Sequence, residues 1–284
     1  MDFLSLLLGT VLLRPYVFAF LLCFLALAWV QIGWTRTIVW TATGYLIAFA
    51  AEYGSIHWGV PFGEYYYIDA TRDRELWVAG VPFMDSLSFT FLTYVGYSCA
   101  WQLAAALQGA KGSLDASAYQ ALRRTPTVLV FGALITTLMD VVIDPVALMG
   151  ERWFLGEIYG YRHVGVYFGV PLSNFAGWLV VSLAVIGVNQ ALDGRLPAHD
   201  RCRDVRYVHL GGFALFLSIM VFNLAITAWL GAYRILLAGI LIVTAFVALS
   251  GAVLARSPQT RSIPYIRYSV PVDLHRSGSP PERL

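Results

Sequence analysis

Apolar residues recur along the chain in runs of about 20, the length an α-helix needs to cross a hydrocarbon core of about 30 Å. The pattern predicts seven spanning helices: Pro15 to Trp34, Thr37 to His57, Ser86 to Leu107, Pro126 to Asp144, Pro171 to Leu192, Tyr207 to Trp229 and Tyr233 to Ala255. The first stretch, MDFLSLLLGTVLL, is too short to span and has no basic residue before Arg14. It reads as a half-helix at one interface rather than a cleaved signal peptide. After Arg256, the segments SPQTRSIPY and RSGSPPERL predict a polar, poorly ordered tail. The expected architecture is all-α, a polytopic membrane helix bundle, with one transmembrane domain over 1–255 and a tail over 256–284.

Composition agrees with this pattern: 58% of the 284 residues are hydrophobic and 13% charged, against roughly 25% charged in a soluble domain. A net charge of +2, dispersed among loops, gives no reason to expect a nucleic-acid partner. The sidedness of the basic residues says more. Arg36, Lys111, Arg123, Arg124, Arg195, Arg201, Arg203, Arg206 and the tail arginines fall on one side; Arg14, Arg72, Arg74, Arg152, Arg162 and Arg234 fall on the other. The positive-inside rule then places the C-terminus in the cytoplasm and the N-terminus outside the cell membrane. Cys23, Cys99 and Cys202 are far apart and form neither a metal motif nor a disulfide framework.

Following each helix in its direction shows polar side chains meeting at one depth. Glu52 lies about five residues, roughly 8 Å, before the end of the second span, and Asp140 lies at a similar depth before Pro145. Asp85 and Asn174 start the third and fifth spans at that same face, and Asn223 lies late in the sixth. A carboxylate inside a membrane span costs about 2.5 to 3.5 kcal/mol at the centre, so Glu52, Asp140 and Asp144 need a reason. One reading is hydration near the interface or interhelical hydrogen bonding; the other is a polar pocket within the bundle. Asp140 and Asp144, at i and i+4, project from one helix face. Two carboxylates that close cannot both ionise cheaply in a poorly hydrated site, which makes one a candidate acid.

The second and third spans are echoed by the fourth and fifth. Gly-Val-Pro occurs at Gly59, Gly80 and Gly169, and the last two are expected to begin helices as GVPFMD and GVPLSN. Glu52 precedes Gly80 by 28 residues and Asp140 precedes Gly169 by 29; between them lie GEYYY and GEIYGY, preceded by Trp58 and Trp153. The pairs point the same way, as in a parallel repeat about an axis near the membrane normal. Both connecting loops are aromatic, with Tyr65, Tyr66, Tyr67 and Trp77 in one and Trp153, Tyr159, Tyr161, Tyr167 and Phe168 in the other. Such residues form interfacial belts, and their ring faces also stabilise cations.

Seven spans invite comparison with retinal proteins, but the single lysine, Lys111, lies in a loop and could not form their Schiff base. Asp140-x-x-x-Asp144 is reminiscent of the magnesium-diphosphate motifs of membrane prenyltransferases, yet a second motif and a dense basic cluster are missing, and no metal site is expected. The stretches AEYGSIHWGVPFGEYYY (Ala51 to Tyr67), VAGVPFMDSLSF (Val78 to Phe89), MDVVIDPVA (Met139 to Ala147) and YFGVPLSNFAGW (Tyr167 to Trp178) carry a more specific likeness. They resemble membrane carotenoid-biosynthesis proteins typified by hydratases of acyclic end groups, including bisanhydrobacterioruberin hydratases. The likeness covers about residues 40 to 190.

This resemblance implies a hydro-lyase that adds water to the terminal double bond of an acyclic carotenoid drawn from the bilayer, giving a tertiary alcohol without a cofactor. Other enzymes of the same pathway are expected partners. Chemistry assigns the roles: a poorly solvated acid protonates the alkene and a positioned water captures the tertiary cation. Asp140 is the expected donor, with Asp144 or Glu52 modulating it and orienting the water. Asn174, Asp85, Trp58, Tyr65, Trp153, Tyr167 and Trp178 are expected to line the substrate site. His57 is either a further polar neighbour or an ordinary interfacial histidine. A carotenoid cyclase or prenyl-transferring enzyme, passing through the same cation, and a non-catalytic carotenoid-binding membrane protein are the alternatives.

Overall fold

The computed structural model describes residues 2–109, 116–153, 156, 158–196 and 210–256. The predicted tail beyond 256, Cys202, Lys111 and the start of the sixth predicted span fall outside them. The chain is an all-α helix bundle: α1 (Phe3–Leu13), α2 (Pro15–Ile32), α3 (Trp34–Trp58), α4 (Phe83–Gly109), α5 (Ala116–Leu122), α6 (Pro126–Ala147), α7 (Leu172–Asp193), α8 (Gly211–Trp229) and α9 (Tyr233–Ala255). Each of the seven predicted spans coincides with a long helix. By length and composition alone, α2, α6, α7, α8 and α9 could cross a membrane. This is a multi-pass membrane protein.

Of the two long helices outside that set, α4 occupies the interior, whereas α3 is buried along one face and exposes Ile38 and Leu46 on the other. Helix α4 is buried along nearly its whole length. Its small and hydroxyl residues let neighbours approach, while Thr90 and Thr93 donate to carbonyls of their own helix at 2.7 and 2.6 Å, so neither of these hydroxyls is stranded. At the crossing with α6, a Cβ on Gly96 would lie 2.5 Å from the Gly132 carbonyl oxygen, a spacing only glycine permits. Helix α9, by contrast, turns Leu237, Leu241 and Leu249 outward, as a lipid-facing helix should.

Helices α3, α4, α6 and α7 form a ring in which α4 packs on α3 and α6, and α7 packs on α6 and α3. That arrangement matches the expected duplication: a two-fold exchange of α3 with α6 and of α4 with α7 preserves every one of these contacts. The connecting loops obey the same exchange. Strand β1 (Tyr65–Tyr67) pairs antiparallel with a distant strand at Tyr159–Tyr161, and the register Tyr65 to Tyr161, Tyr66 to Gly160 and Tyr67 to Tyr159 is symmetric about its centre. A hairpin of β2 (Trp77–Val78) and β3 (Val81–Pro82) leads into α4, and the Tyr159–Tyr161 strand is β4.

Two expectations need correction. The Gly-Val-Pro tripeptides end before the helices rather than beginning them: Gly80 and Gly169 make turns at φ 85° and 92°. Pro82 then lies in β3, and Pro171 caps α7 in an extended conformation. Helical geometry starts only at Phe83 and Leu172. Helix α6 also runs on through Pro145 to Ala147. Asp144 therefore lies inside the helix and is buried, not at a loop border.

Helix α1, with 11 residues, is too short to span. It packs against the α3–α4 loop: the Thr10 hydroxyl accepts from the Leu76 amide at 2.8 Å. At its junction with α2, Arg14 and Glu75 form a fully buried ion pair at 3.1 Å.

Candidate active site

The alternation of a β-strand puts Tyr65 and Tyr67 on one face of the small sheet and Tyr66 on the other, and it does the same for Tyr159 and Tyr161 around Gly160. Tyr66 lies over Gly160, where a Cβ would come within 2.8 Å of its hydroxyl oxygen. Of the remaining four, Tyr67, Tyr159 and Tyr161 reach the acids of the helix ends.

Tyr67 donates to Asp85 Oδ2 at 2.6 Å, and the neighbouring Ser86 hydroxyl donates to Glu52 Oε2. This forms one half-site, from α3, α4 and β1. In the other, Tyr159 donates to Asp144 Oδ1 and Tyr161 donates to Asp144 Oδ2 at 2.8 Å. Asn174, in the first turn of α7, uses one amide nitrogen to bridge Asp140 Oδ2 at 2.9 Å and Asp144 Oδ2 at 3.1 Å. Asp144 thus accepts from three side chains and Asp140 from one.

Tyr65 joins the halves. Its hydroxyl donates to Tyr67 at 3.3 Å, and its ring lies 6.1 and 6.3 Å from those of Tyr159 and Tyr161. Burial pushes the Tyr65 hydroxyl well above the ordinary phenol range, and the nearby charges of Glu52, Asp85 and Asp144 push it the same way. Burial is also the main cause for Tyr67, Tyr159 and Tyr161, followed in each by the carboxylate it bonds. All four remain protonated donors over the physiological range.

An aromatic floor adjoins Tyr65. Phe62 folds back into the bundle, its amide donating to Ser55 Oγ at 3.0 Å, against the bare backbone of Gly177, where a Cβ would stand 2.5 Å from the Phe62 ring. Its ring meets Tyr65 at 6.5 Å, Phe89 at 5.5 Å and Trp178 at 6.3 Å. Phe89 and Trp178 stack at 3.9 Å.

Of the residues singled out in the sequence, Glu52, Asp85, Asp140, Asp144, Asn174, Tyr65 and Trp178 come together here. Trp58 does not: it is 73% exposed and packs edge-on to Tyr53. Trp153 bonds the Val146 carbonyl at 3.2 Å and faces Tyr16. Tyr167, in the loop before α7, packs on Phe168 and on Phe175 of that helix. His57 stacks on Tyr53 at 4.0 Å, as an interfacial histidine does. Asn223 is buried on α8, and its Oδ1 has no partner among the described residues. Tyr67, Tyr159, Tyr161, Ser86, Phe62 and Phe89 were not selected from the sequence. The Tyr-x-Tyr spacing shared by both loops was the available signal. Among the described residues, no group of three or more His, Cys, Asp or Glu side chains is arranged to hold a metal ion.

Residues 3–246 match the profile of the carotenoid biosynthesis protein family. The chain belongs to that family. No curated protein and no solved structure matches it. The family match spans both half-sites and every helix of the ring, so the paired acids and the tyrosines that bond them lie within the matched region of this carotenoid biosynthesis protein.

Proposed function

We propose that the protein is a carotenoid hydratase, adding water across the terminal double bond of an acyclic end group to give a tertiary alcohol. The observation that carries this reading is the unequal treatment of two adjacent acids. Three donors satisfy the Asp144 carboxylate and one reaches Asp140, which leaves Asp140 the better proton carrier of the pair. In the proposed step, the Asp140 proton is transferred to the less substituted alkene carbon while the π electrons form the new C–H bond. The positive charge develops on the tertiary carbon, where the ring faces of Tyr65 and the Phe62–Phe89–Trp178 floor can stabilise it.

A water then donates its lone pair to the cation, and the resulting oxonium loses a proton to a site carboxylate, restoring the starting charge. In this reading Asp144 and Glu52 orient that water. Overall oxidation state is unchanged, so the balance needs no redox partner. The substrate would arrive from the bilayer, as its apolar character requires.

Expression in a lycopene-producing bacterium, with pigments analysed by mass, tests the reading. The expected outcome is a gain of one or two waters, and D140N should reduce product by about 10²- to 10⁴-fold, the usual contribution of a positioned acid. An isomer of unchanged mass with a shorter chromophore would instead indicate cyclisation, and undiminished product from D140N would remove Asp140 from its role.

A further inference from the structure

The inward hydroxyls of the small sheet are committed differently in the two half-sites. Tyr159 and Tyr161 each donate directly to Asp144, one to each carboxylate oxygen. Tyr65 and Tyr67 instead form a chain. Tyr67 donates to Asp85 Oδ2 at 2.6 Å, and the hydroxyl oxygens of Tyr65 and Tyr67 are 3.3 Å apart. A phenol has a single proton to donate. That of Tyr67 is held by Asp85, so Tyr65 is the donor in the link between them, and a lone pair of its oxygen is left to accept from a further group. The chain is therefore directed outward from Tyr65, where the halves meet, to Asp85.

The duplication sets Asp85 apart. Asp85 follows Gly80 by five residues and Asn174 follows Gly169 by five, and each lies in the first turn of its helix. Asn174 donates its amide to Asp140 and Asp144, and an amide takes up no proton near neutral pH. Its counterpart is a carboxylate, which can. One half thus has an amide that holds two acids in place, and the other has a proton acceptor at the end of a hydroxyl chain.

Hydration needs a group that gives a proton to the alkene and another that takes one from the water. Asp144 accepts from three side chains, which favours its ionised form and makes it a poor base. We propose that Asp85 is the base of the hydration step and acts through Tyr67 and Tyr65, an inference that rests on the hydratase reading above. As the water oxygen bonds to the tertiary carbon, its proton passes to the Tyr65 oxygen while the Tyr65 proton moves to Tyr67 and the Tyr67 proton to Asp85. The transfers are concerted, because burial raises both phenols well above their ordinary range and a free phenolate would be costly. The step leaves Asp140 ionised and Asp85 protonated. After the product leaves, the chain runs in reverse through a new water and returns the proton to Asp140, so that no charge is gained or lost over the cycle.

Membranes carrying the full-length protein are supplied with lycopene over a range of concentrations, and initial rates of hydrated pigment are measured beside the thermal unfolding midpoint of each variant. D85N keeps an oxygen that can accept from Tyr67 but takes up no proton, and Y67F breaks the chain at its middle. Both should lower kcat by about 10²-fold or more, the usual contribution of a positioned base, with KM and the unfolding midpoint unchanged. Y66F, whose hydroxyl lies on the other face of the sheet, should match the wild type. If D85N does not fold, Y67F alone decides. A wild-type kcat in D85N or Y67F, a loss confined to KM, or an equal loss in Y66F overturns this proposal and leaves the hydratase reading standing. A wild type that makes no hydrated pigment overturns both.

Discussion

Asp140 and Asp144 are one helical turn apart yet differ in surroundings, and the difference is made by side chains from other elements. Replacing Tyr159 and Tyr161 together by Phe removes two of the three donors to Asp144. Each hydrogen bond to a charged group contributes about 1.5–3 kcal/mol. The double variant should therefore accumulate at least about tenfold less product, measured by pigment chromatography, while still extracting as folded protein. The tyrosines also set an alkaline limit. Their hydroxyls are raised above the phenol value they take in the unfolded chain, so the stabilisation is complete below pH about 10 and is lost as pH rises above it. An unfolding midpoint flat from neutral pH to about 9 and falling beyond 10 is the expected profile; a fall already at pH about 8 would contradict it.

At the scale of elements, the site exists because two loops meet. Strands β1 and β4 contribute three residues each, too few to hold alone, and each is fastened at both ends to a helix of the ring. The α3–α4 loop has a further anchor in the buried Arg14–Glu75 pair. E75Q removes the carboxylate of this buried pair and should cost about 3–5 kcal/mol in unfolding experiments. Replacing both partners with apolar residues of similar volume should recover part of that loss. Recovery of nothing would mean that the pair does more than satisfy itself.

The long helices were legible in the sequence because hydropathy over about 20 residues is a strong, local signal, and the depth of Glu52, Asp85, Asp140 and Asn174 followed from helix direction. The small sheet was not. A three-residue strand leaves no periodicity to count, so nothing local separates the inward Tyr67, Tyr159 and Tyr161 from an interfacial belt, or the outlying Trp58 and Tyr167 from the site. Phe62 entered the bundle through the space left by Gly177, a tertiary fit that no local pattern encodes.

For the whole molecule, the ring of α3, α4, α6 and α7 gives a near two-fold frame whose two ends differ in charge. Sequence divergence within that frame has made the halves unlike: Asp85 of one corresponds to Asn174 of the other, and Ala104 corresponds to Asp193. The outcome is one end rich in carboxylates and phenols and another rich in guanidinium groups. The outer helices present leucines to lipid, so an apolar exterior and a polar interior coexist in a single bundle.

The source of the hydroxyl oxygen tests the account most directly. Cells that make lycopene and express the protein are grown in water enriched in heavy oxygen, and the new pigment is weighed by mass spectrometry. Proton transfer followed by water capture predicts one heavy oxygen for each hydroxyl gained, and almost none of that pigment from D140N. A hydroxyl carrying oxygen from molecular oxygen, or a new pigment with no added oxygen, would contradict the account.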